Sequence, residues 1–376
     1  MSMTLPRPEV DQDGLLEYSV VYTDRALNHM SQKFQTALRS ISATLKQVYH
    51  AEYVAVIAGS GTSGMEAVAR QLARNEKCLI IRNGFFSYRW TQILEMGNIA
   101  AESKVLTARQ ADEPQAPFAP APIEEVCAEI AAYRPAIVFA PHVETASGIM
   151  LPDDYIRQLA DAVHAVGGLL VIDCIASGCI WLDMAALGID VLISAPQKGW
   201  SGSPCCGLVL LNEAAYQKAQ TTESDSFALD LKKWLQIMVA FENGGHAYHA
   251  TPPTDALMQL YAVMQEAEAI GFDKLKTAQQ QLGQQIRALL AEHGYPSVAA
   301  QGFEASGVVV SYTDNPHIQN GKAFIEQGVQ IAAGVPLQCG ERSDFSTFRL
   351  GLFGLDKLQN IERTVQTFAE VLAKVK

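Results

Sequence analysis

Two apolar runs, each closing on a charged residue, constrain this chain most. Leu169 to Ile172 ends on Asp173, and Val191 to Ile193 leads through Ser194, Ala195, Pro196 and Gln197 to Lys198. Apolar runs this short, bounded by Gly, Pro and polar residues, predict buried parallel strands. Asp173 and Lys198 then stand at strand ends, on the rim where open α/β sheets bind ligands. Either residue alone is ordinary, since many strands end in Asp and many loops hold Lys. The pair is what suggests chemistry.

The rest of the chain repeats the pattern. Strands are predicted at Val54–Ile57, Cys78–Ile81, Ala136–Ala140 and Gly207–Leu211. Helical spacing is read over 28–49, with Phe34, Leu38, Ile41 and Leu45 on one face, and over 65–72, 90–96, 124–133 and 159–166. Strand and helix alternate, which predicts a mostly parallel sheet covered on both faces. Long helices follow at about 256–270 and 275–293. Strands at 307–312 and 348–350 and a helix at 364–375 predict a smaller C-terminal α/β unit. With 376 residues, 49% of them hydrophobic, a large core and more than one domain are expected.

Charge excludes some partners. The net charge of −12 argues against nucleic acid and against an anionic membrane surface. No apolar run approaches the ~20 residues of a membrane span. The polar, acidic first residues do not read as a secretory signal. Seven cysteines, scattered and mostly inside apolar segments, fit reduced thiols in a cytoplasm. Glu242, His246 and His249 lie in a Gly-rich loop without metal spacing, so no metal site is expected.

A carboxylate and an amine held together on a sheet rim suit pyridoxal phosphate. That cofactor needs a lysine for its aldehyde carbon and an acid for its pyridinium proton. Gly59-Ser-Gly-Thr-Ser-Gly64 bears on the same question. It matches G-x-G-x-x-G between a strand and a helix, but the acid that a dinucleotide site needs ~20 residues on is missing. Arg82 stands there, so an NADP-dependent oxidoreductase is the rival. The favoured reading is a phosphate cup, in which Ser60, Gly61 and Thr62 at a helix N-terminus offer N–H groups and hydroxyls to one phosphate. A non-catalytic binding protein would leave Asp173 and Lys198 together without a reason.

Asp-x-Ile-Ala-Ser after one strand and Ser-x-x-Gln-Lys-Gly after the next resemble the class V aminotransferases, such as the alanine–glyoxylate and serine–pyruvate enzymes. The likeness runs from about Val54 to the C-terminus. It implies a fold-type I pyridoxal phosphate transferase. Its large domain, 22–270, would hold a mostly parallel seven-stranded sheet, preceded by an arm over 1–21 and followed by a small domain over 271–376. It further implies that Lys198 and Asp173 are catalytic, and that Ser60, Gly61, Thr62 and Gln197 bind the cofactor. Phe86, in Asn-Gly-Phe-Phe-Ser-Tyr-Arg, would stack on its ring, with Ile175 on the other face. Thr145, in His-Val-Glu-Thr-Ala-Ser-Gly, would put its hydroxyl near the ring oxygen or Asp173. Tyr248 and Thr251, in Tyr-His-Ala-Thr-Pro, would reach the phosphate of a partner's site, making a homodimer with shared sites. Arg349 would grip a substrate carboxylate through its planar fork, with Arg342 the second choice.

The implied reaction is transamination between a small amino acid, of alanine or serine type, and a 2-oxo acid such as glyoxylate or pyruvate. The relatives' opening Gly-Pro-Gly-Pro is replaced by Tyr18-Ser-Val-Val-Tyr-Thr-Asp-Arg25. Its substrate contacts therefore do not carry over. A lyase of the cysteine desulfurase kind is the alternative within the family, with Cys339 as its thiol.

Overall fold

The structure is a computed structural model and describes residues 5–375. The first four residues of the expected arm lie outside the described residues. The remainder of the arm and the segment up to Ser31 form turns and extended chain.

Seven strands make the main sheet: β1 (Tyr53–Ala58), β2 (Lys77–Arg82), β3 (Glu102–Thr107), β4 (Ile137–Pro141), β5 (Leu169–Asp173), β6 (Val191–Ser194) and β7 (Cys206–Leu211). Their spatial order is β1-β7-β6-β5-β4-β2-β3. The pairs β2–β3, β2–β4, β4–β5 and β5–β6 are parallel, while β7 is antiparallel to both β6 and β1. Strands β4, β6 and β7 are buried throughout, as runs covered on both faces must be. The edge strand β3 reads Glu-Ser-Lys-Val-Leu-Thr and exposes its first half. That charged edge escaped the apolar-run reading, and charge on an edge discourages further pairing.

The helix expected over 28–49 starts later, at Gln32, whereas the helices that follow start earlier than the apolar spacing predicts. The helix after β1 is Gly61–Leu72, with Ser60 as its extended N-cap, and the helix after β2 is Phe85–Met96. Two helices not read from the sequence, Glu213–Thr221 and Leu231–Glu242, follow β7. Thr254–Ile270 and Phe272–Glu292 then lead to a second, three-stranded sheet built on Val308–Tyr312, Ala332–Ala333 and Thr347–Gly351. The amphipathic helix Ile361–Leu372 packs with Phe272–Glu292. No helix among the described residues is long and apolar enough to cross a membrane.

Two glycines of the Gly59–Gly64 segment have definite steric jobs. Gly59 has φ +127°, which a side chain would strain. A Cβ on Gly61 would stand 2.5 Å from Ile175 Cδ1. Gly61 thus lets the helix N-terminus close on the loop that follows β5.

Candidate active site

The C-terminal ends of β1, β2, β4, β5 and β6 converge on one pocket of about 240 Å3. Ser60, Gly61, Thr62, Phe86, Thr145, Asp173, Ile175, Gln197 and Lys198 all line it, joined by Arg89 and Ala176. Of the cofactor residues expected from the sequence, this leaves Tyr248 and Thr251 outside. Tyr248 is 53% exposed, and its hydroxyl lies 2.9 Å from Thr251 Oγ1 in the loop before Thr254–Ile270.

Asp173 and Lys198 face one pocket because the turns after β5 and β6 interlock. The N–H of Ser201 donates to the Lys198 carbonyl and that of Gly202 to Pro196. Gly199 lies so close to Gly178 that a Cβ would stand 2.1 Å from the Gly178 carbonyl oxygen. The Cys179 thiol donates to the Gly199 carbonyl at 3.4 Å. Asp173 is buried, and its Oδ1 accepts from the Ile175 N–H at 2.8 Å. Burial pushes its carboxyl up to about 6, with the buried Glu144 adding to the rise and Lys198 opposing it. Burial also pushes the Lys198 ammonium below its ordinary value, against the pull of Asp173. The Lys198 Nζ sits 5.4 Å from the Phe353 ring.

Sequence reasoning passed over two polar residues. Glu144 is fully buried and accepts from the N–H groups of Phe86, Ser87 and Ala146 and from the Ser87 hydroxyl. It thereby caps the first turn of Phe85–Met96 and fixes the Phe86 backbone. Arg89 lies three residues beyond Phe86 on the same helix face. Its Nη1 donates to Thr62 Oγ1 at 2.9 Å, and its guanidinium stands 5.1 Å from the Phe86 ring. The Glu within His-Val-Glu-Thr and the i, i+3 spacing of Phe86 and Arg89 were the available signals.

Arg349 comes from the second sheet. Its Nε donates to the Ala333 carbonyl at 2.8 Å, and its guanidinium lies 5.6 Å from the Phe86 ring. Among the described residues it makes no ion pair. Arg342, in contrast, is engaged by Asp112 and Asp344. His142 is a buried core residue with Nδ1 2.7 Å from the Ser177 hydroxyl, and burial holds it down to about 3, hence neutral.

The rival readings lose their residues. Arg82 donates to the Gln338 carbonyl and the Thr91 hydroxyl and stacks on Tyr88, so it does not serve a ribose phosphate beside Gly59–Gly64. The Cys339 thiol donates to the Arg82 carbonyl and is pushed up to about 12 by burial. A thiol so held is a poor nucleophile. Glu242 pairs with Lys46, and His249 Nε2 lies 2.7 Å from the Phe227 carbonyl oxygen.

The pocket's own features fit pyridoxal phosphate. Gln197 Oε1 is buried without a partner beside Lys198. The first N–H groups of Gly61–Leu72 have no carbonyl within the helix to bond. A buried carboxylate and a buried amine complete the donor set. This lining is chemically suited to a phosphate-bearing aldehyde cofactor.

Comparison with known proteins agrees. The family model described as Aminotransferase class-V matches residues 8–352. A 2-aminoethylphosphonate–pyruvate transaminase from Vibrio cholerae is 27% identical over 84% of this chain and 82% of its own length. Among solved structures, an aspartate aminotransferase from Thermus thermophilus superposes with TM-score 0.75 at 24% identity, covering 93% of each chain. An alanine–glyoxylate aminotransferase from Nostoc superposes with TM-score 0.76 at 19% identity, over 92% of this chain and 88% of that one. The chain belongs to the class V aminotransferases and is a pyridoxal-phosphate-dependent transaminase. The expected fold, a mostly parallel seven-stranded sheet with a smaller C-terminal α/β part, is the observed one.

Proposed function

We propose that this transaminase moves the amino group of a small, singly anionic donor, of alanine or serine type, to a 2-oxo acid such as pyruvate or glyoxylate. The observation that carries the reading is Arg349: a half-buried guanidinium beside Phe86 with no acid paired to it among the described residues. Its electrostatic effect reaches Lys198. The transaminase from Vibrio cholerae has pyruvate in its name, which supports that acceptor.

When bound, pyridoxal phosphate supplies the aldehyde that takes up the amine and the ring that accepts the electron pair left at the donor's Cα. The chain does the rest. Ser60, Gly61 and Thr62 hold the phosphate. Asp173 would hold a proton at the ring nitrogen, Phe86 and Ile175 would pack against the ring, and Thr145 and Gln197 would bond its polar groups. Lys198 would hold the cofactor at rest, and its free amine would take the proton from the donor's Cα. Its depressed affinity for protons raises the fraction of free amine that can act as base. Arg349 orients the donor by a forked hydrogen bond to its carboxylate.

Replacing that fork tests the donor reading. Arg349→Lys keeps the charge and loses the planar pair of donors. KM for both donor and oxo acid is expected to rise roughly 10-fold or more, with kcat changed far less. Alanine, serine, aspartate and 2-aminoethylphosphonate should be compared against pyruvate and glyoxylate. Preference for aspartate would show a second cation at the mouth and end the single-anion reading. Preference for the phosphonate would replace the carboxylate as the group on Arg349.

The active unit in this reading is a homodimer working in a cytoplasm, with the domain division at 22–270 and 271–376. Leu15, Tyr18, Val20 and Phe227 are exposed along with Tyr248, apolar surface that a second copy could cover. Seven free thiols, mostly buried, suit a reducing compartment. Chains carrying Tyr248→Phe/Thr251→Val and chains carrying Lys198→Ala should be mixed. If Tyr248 and Thr251 serve the partner's phosphate, the mixed dimer places both defects in one site and leaves the other site whole. Activity then recovers toward half of the wild-type value per dimer. A fully active monomer in sedimentation would rule out sharing.

A further inference from the structure

Arg89 lines the pocket at its Ser60–Thr62 end. Its place is fixed from two sides. Its helix is anchored by Glu144, and its guanidinium packs near the Phe86 ring. Among the described residues no carboxylate pairs with it. The buried acid at the same helix end, Glu144, is already engaged by the donors of Phe86, Ser87 and Ala146. Arg89 is therefore a cation whose charge is left for something in the pocket. It acts on Asp173 and Lys198, but neither is its hydrogen-bond partner.

Its one hydrogen bond points to the answer. Arg89 Nη1 donates to Thr62 Oγ1, which occupies a lone pair of that hydroxyl. The hydroxyl's own hydrogen then has to go elsewhere, and among the described residues it finds no acceptor. Thr62 stands in the first turn of Gly61–Leu72, where the helix dipole already favours an anion.

We propose that Arg89 is a positioning residue for the cofactor phosphate, turning the Thr62 hydroxyl hydrogen toward a phosphate oxygen and supplying the positive charge that offsets the dianion. The inference rests on the pyridoxal phosphate reading and adds to it a residue outside the Ser-Gly-Thr turn. Through Thr62 the guanidinium acts on the phosphate and not on the aldehyde. Its loss should therefore be felt far more by ligands that carry the phosphate than by those that lack it.

The test is equilibrium binding of pyridoxal phosphate and of pyridoxal, the same aldehyde without phosphate, to apo-protein. Binding is read from the absorbance of the lysine-bound form. For Arg89→Gln, affinity for pyridoxal phosphate is expected to fall roughly 10- to 100-fold, the scale of one charge-assisted hydrogen bond, with pyridoxal changed less than about twofold. Thr62→Val should give the same contrast with a smaller loss, since the charge of Arg89 remains, and the double variant should be little worse than Arg89→Gln alone because the hydroxyl is oriented by the guanidinium. Inorganic phosphate should compete with pyridoxal phosphate in wild type and only weakly in Arg89→Gln. Equal losses for both aldehydes would mean that Arg89 merely supports the Phe86 shelf, and the proposal fails. Additive losses in the double variant, or a raised donor KM with cofactor affinity intact, also overturn it. Should Arg89→Gln not fold, Thr62→Val and Arg89→Lys carry the same comparison. If wild type captures neither aldehyde, the cofactor reading itself has failed, a result distinct from failure of the Arg89 relay alone.

Discussion

Lys198→Ala is expected to lose transamination by at least ~1,000-fold, since a positioned base alone contributes roughly 100- to 10,000-fold and this lysine also carries the cofactor. The fold should survive. Lys198 stands in a turn held by backbone bonds from Ser201 and Gly202, which an alanine keeps. Burial already disfavours its charge, so removal relieves a desolvation cost as well as ending an attraction to Asp173. Cofactor should still bind, held by the Ser60–Thr62 end and by Asp173, but not covalently. Borohydride treatment followed by peptide mass analysis reads this directly. Wild type should carry the reduced adduct on the peptide containing Lys198, and the variant should carry none. Turnover above a trace in the variant, or an adduct on another lysine, would remove Lys198 from the centre of the mechanism.

Why Lys198 and Asp173 could be read from sequence, and Glu144 and Arg89 could not, has a physical reason. A buried parallel strand must be apolar on both faces, so β5 and β6 announce themselves, and the rim residues after them follow by counting. Glu144 matters only because it meets Phe86 and Ser87 across separations of 58 and 57 residues, and no local pattern encodes that meeting. Arg89 needs Thr62, 27 residues away, to show its purpose. Helix starts were read late because apolar spacing begins after the first turn, whereas the N-cap sets the true start. Reading the helix after β2 from Trp90 hid the placing of Phe86 in a first turn, where its N–H donates to Glu144. Strand direction is likewise silent in an apolar run, so the reversed course of β7 emerged only from its pairing with β1 and β6. Arg82 misled for the opposite reason. The motif gave it a plausible ligand, while tertiary contacts had already engaged its donors with Gln338 and Thr91.

Asp173→Asn should separate stability from activity. Burial raises this carboxyl from 3.8 to about 6, so ionising it costs the folded apo-protein more than it costs the unfolded chain. A raised folded value means that the neutral acid is the comfortable form. The stability it contributes is complete below about pH 4 and is lost as the pH climbs through about 6. Asparagine is neutral at every pH and keeps an oxygen for the Ile175 N–H. Apo Asp173→Asn should therefore exceed apo wild type in stability by up to ~3 kcal/mol at pH 8, two units at about 1.4 kcal/mol each, with the gap closing toward pH 4. Denaturant midpoints of the two apo-proteins across that range measure it. Turnover should move the other way. An amide cannot hold the pyridinium charge, and loss of such an electrostatic partner costs roughly 100- to 1,000-fold in kcat. In wild type, cofactor affinity should weaken as the pH falls below about 6, where Asp173 takes up its own proton, and the variant should keep only the part of this pH dependence that comes from the cofactor phosphate. A variant that is both more stable when apo and nearly inactive fits a carboxylate held charged for the ring. A variant that turns over like wild type would reduce Asp173 to a cap on β5.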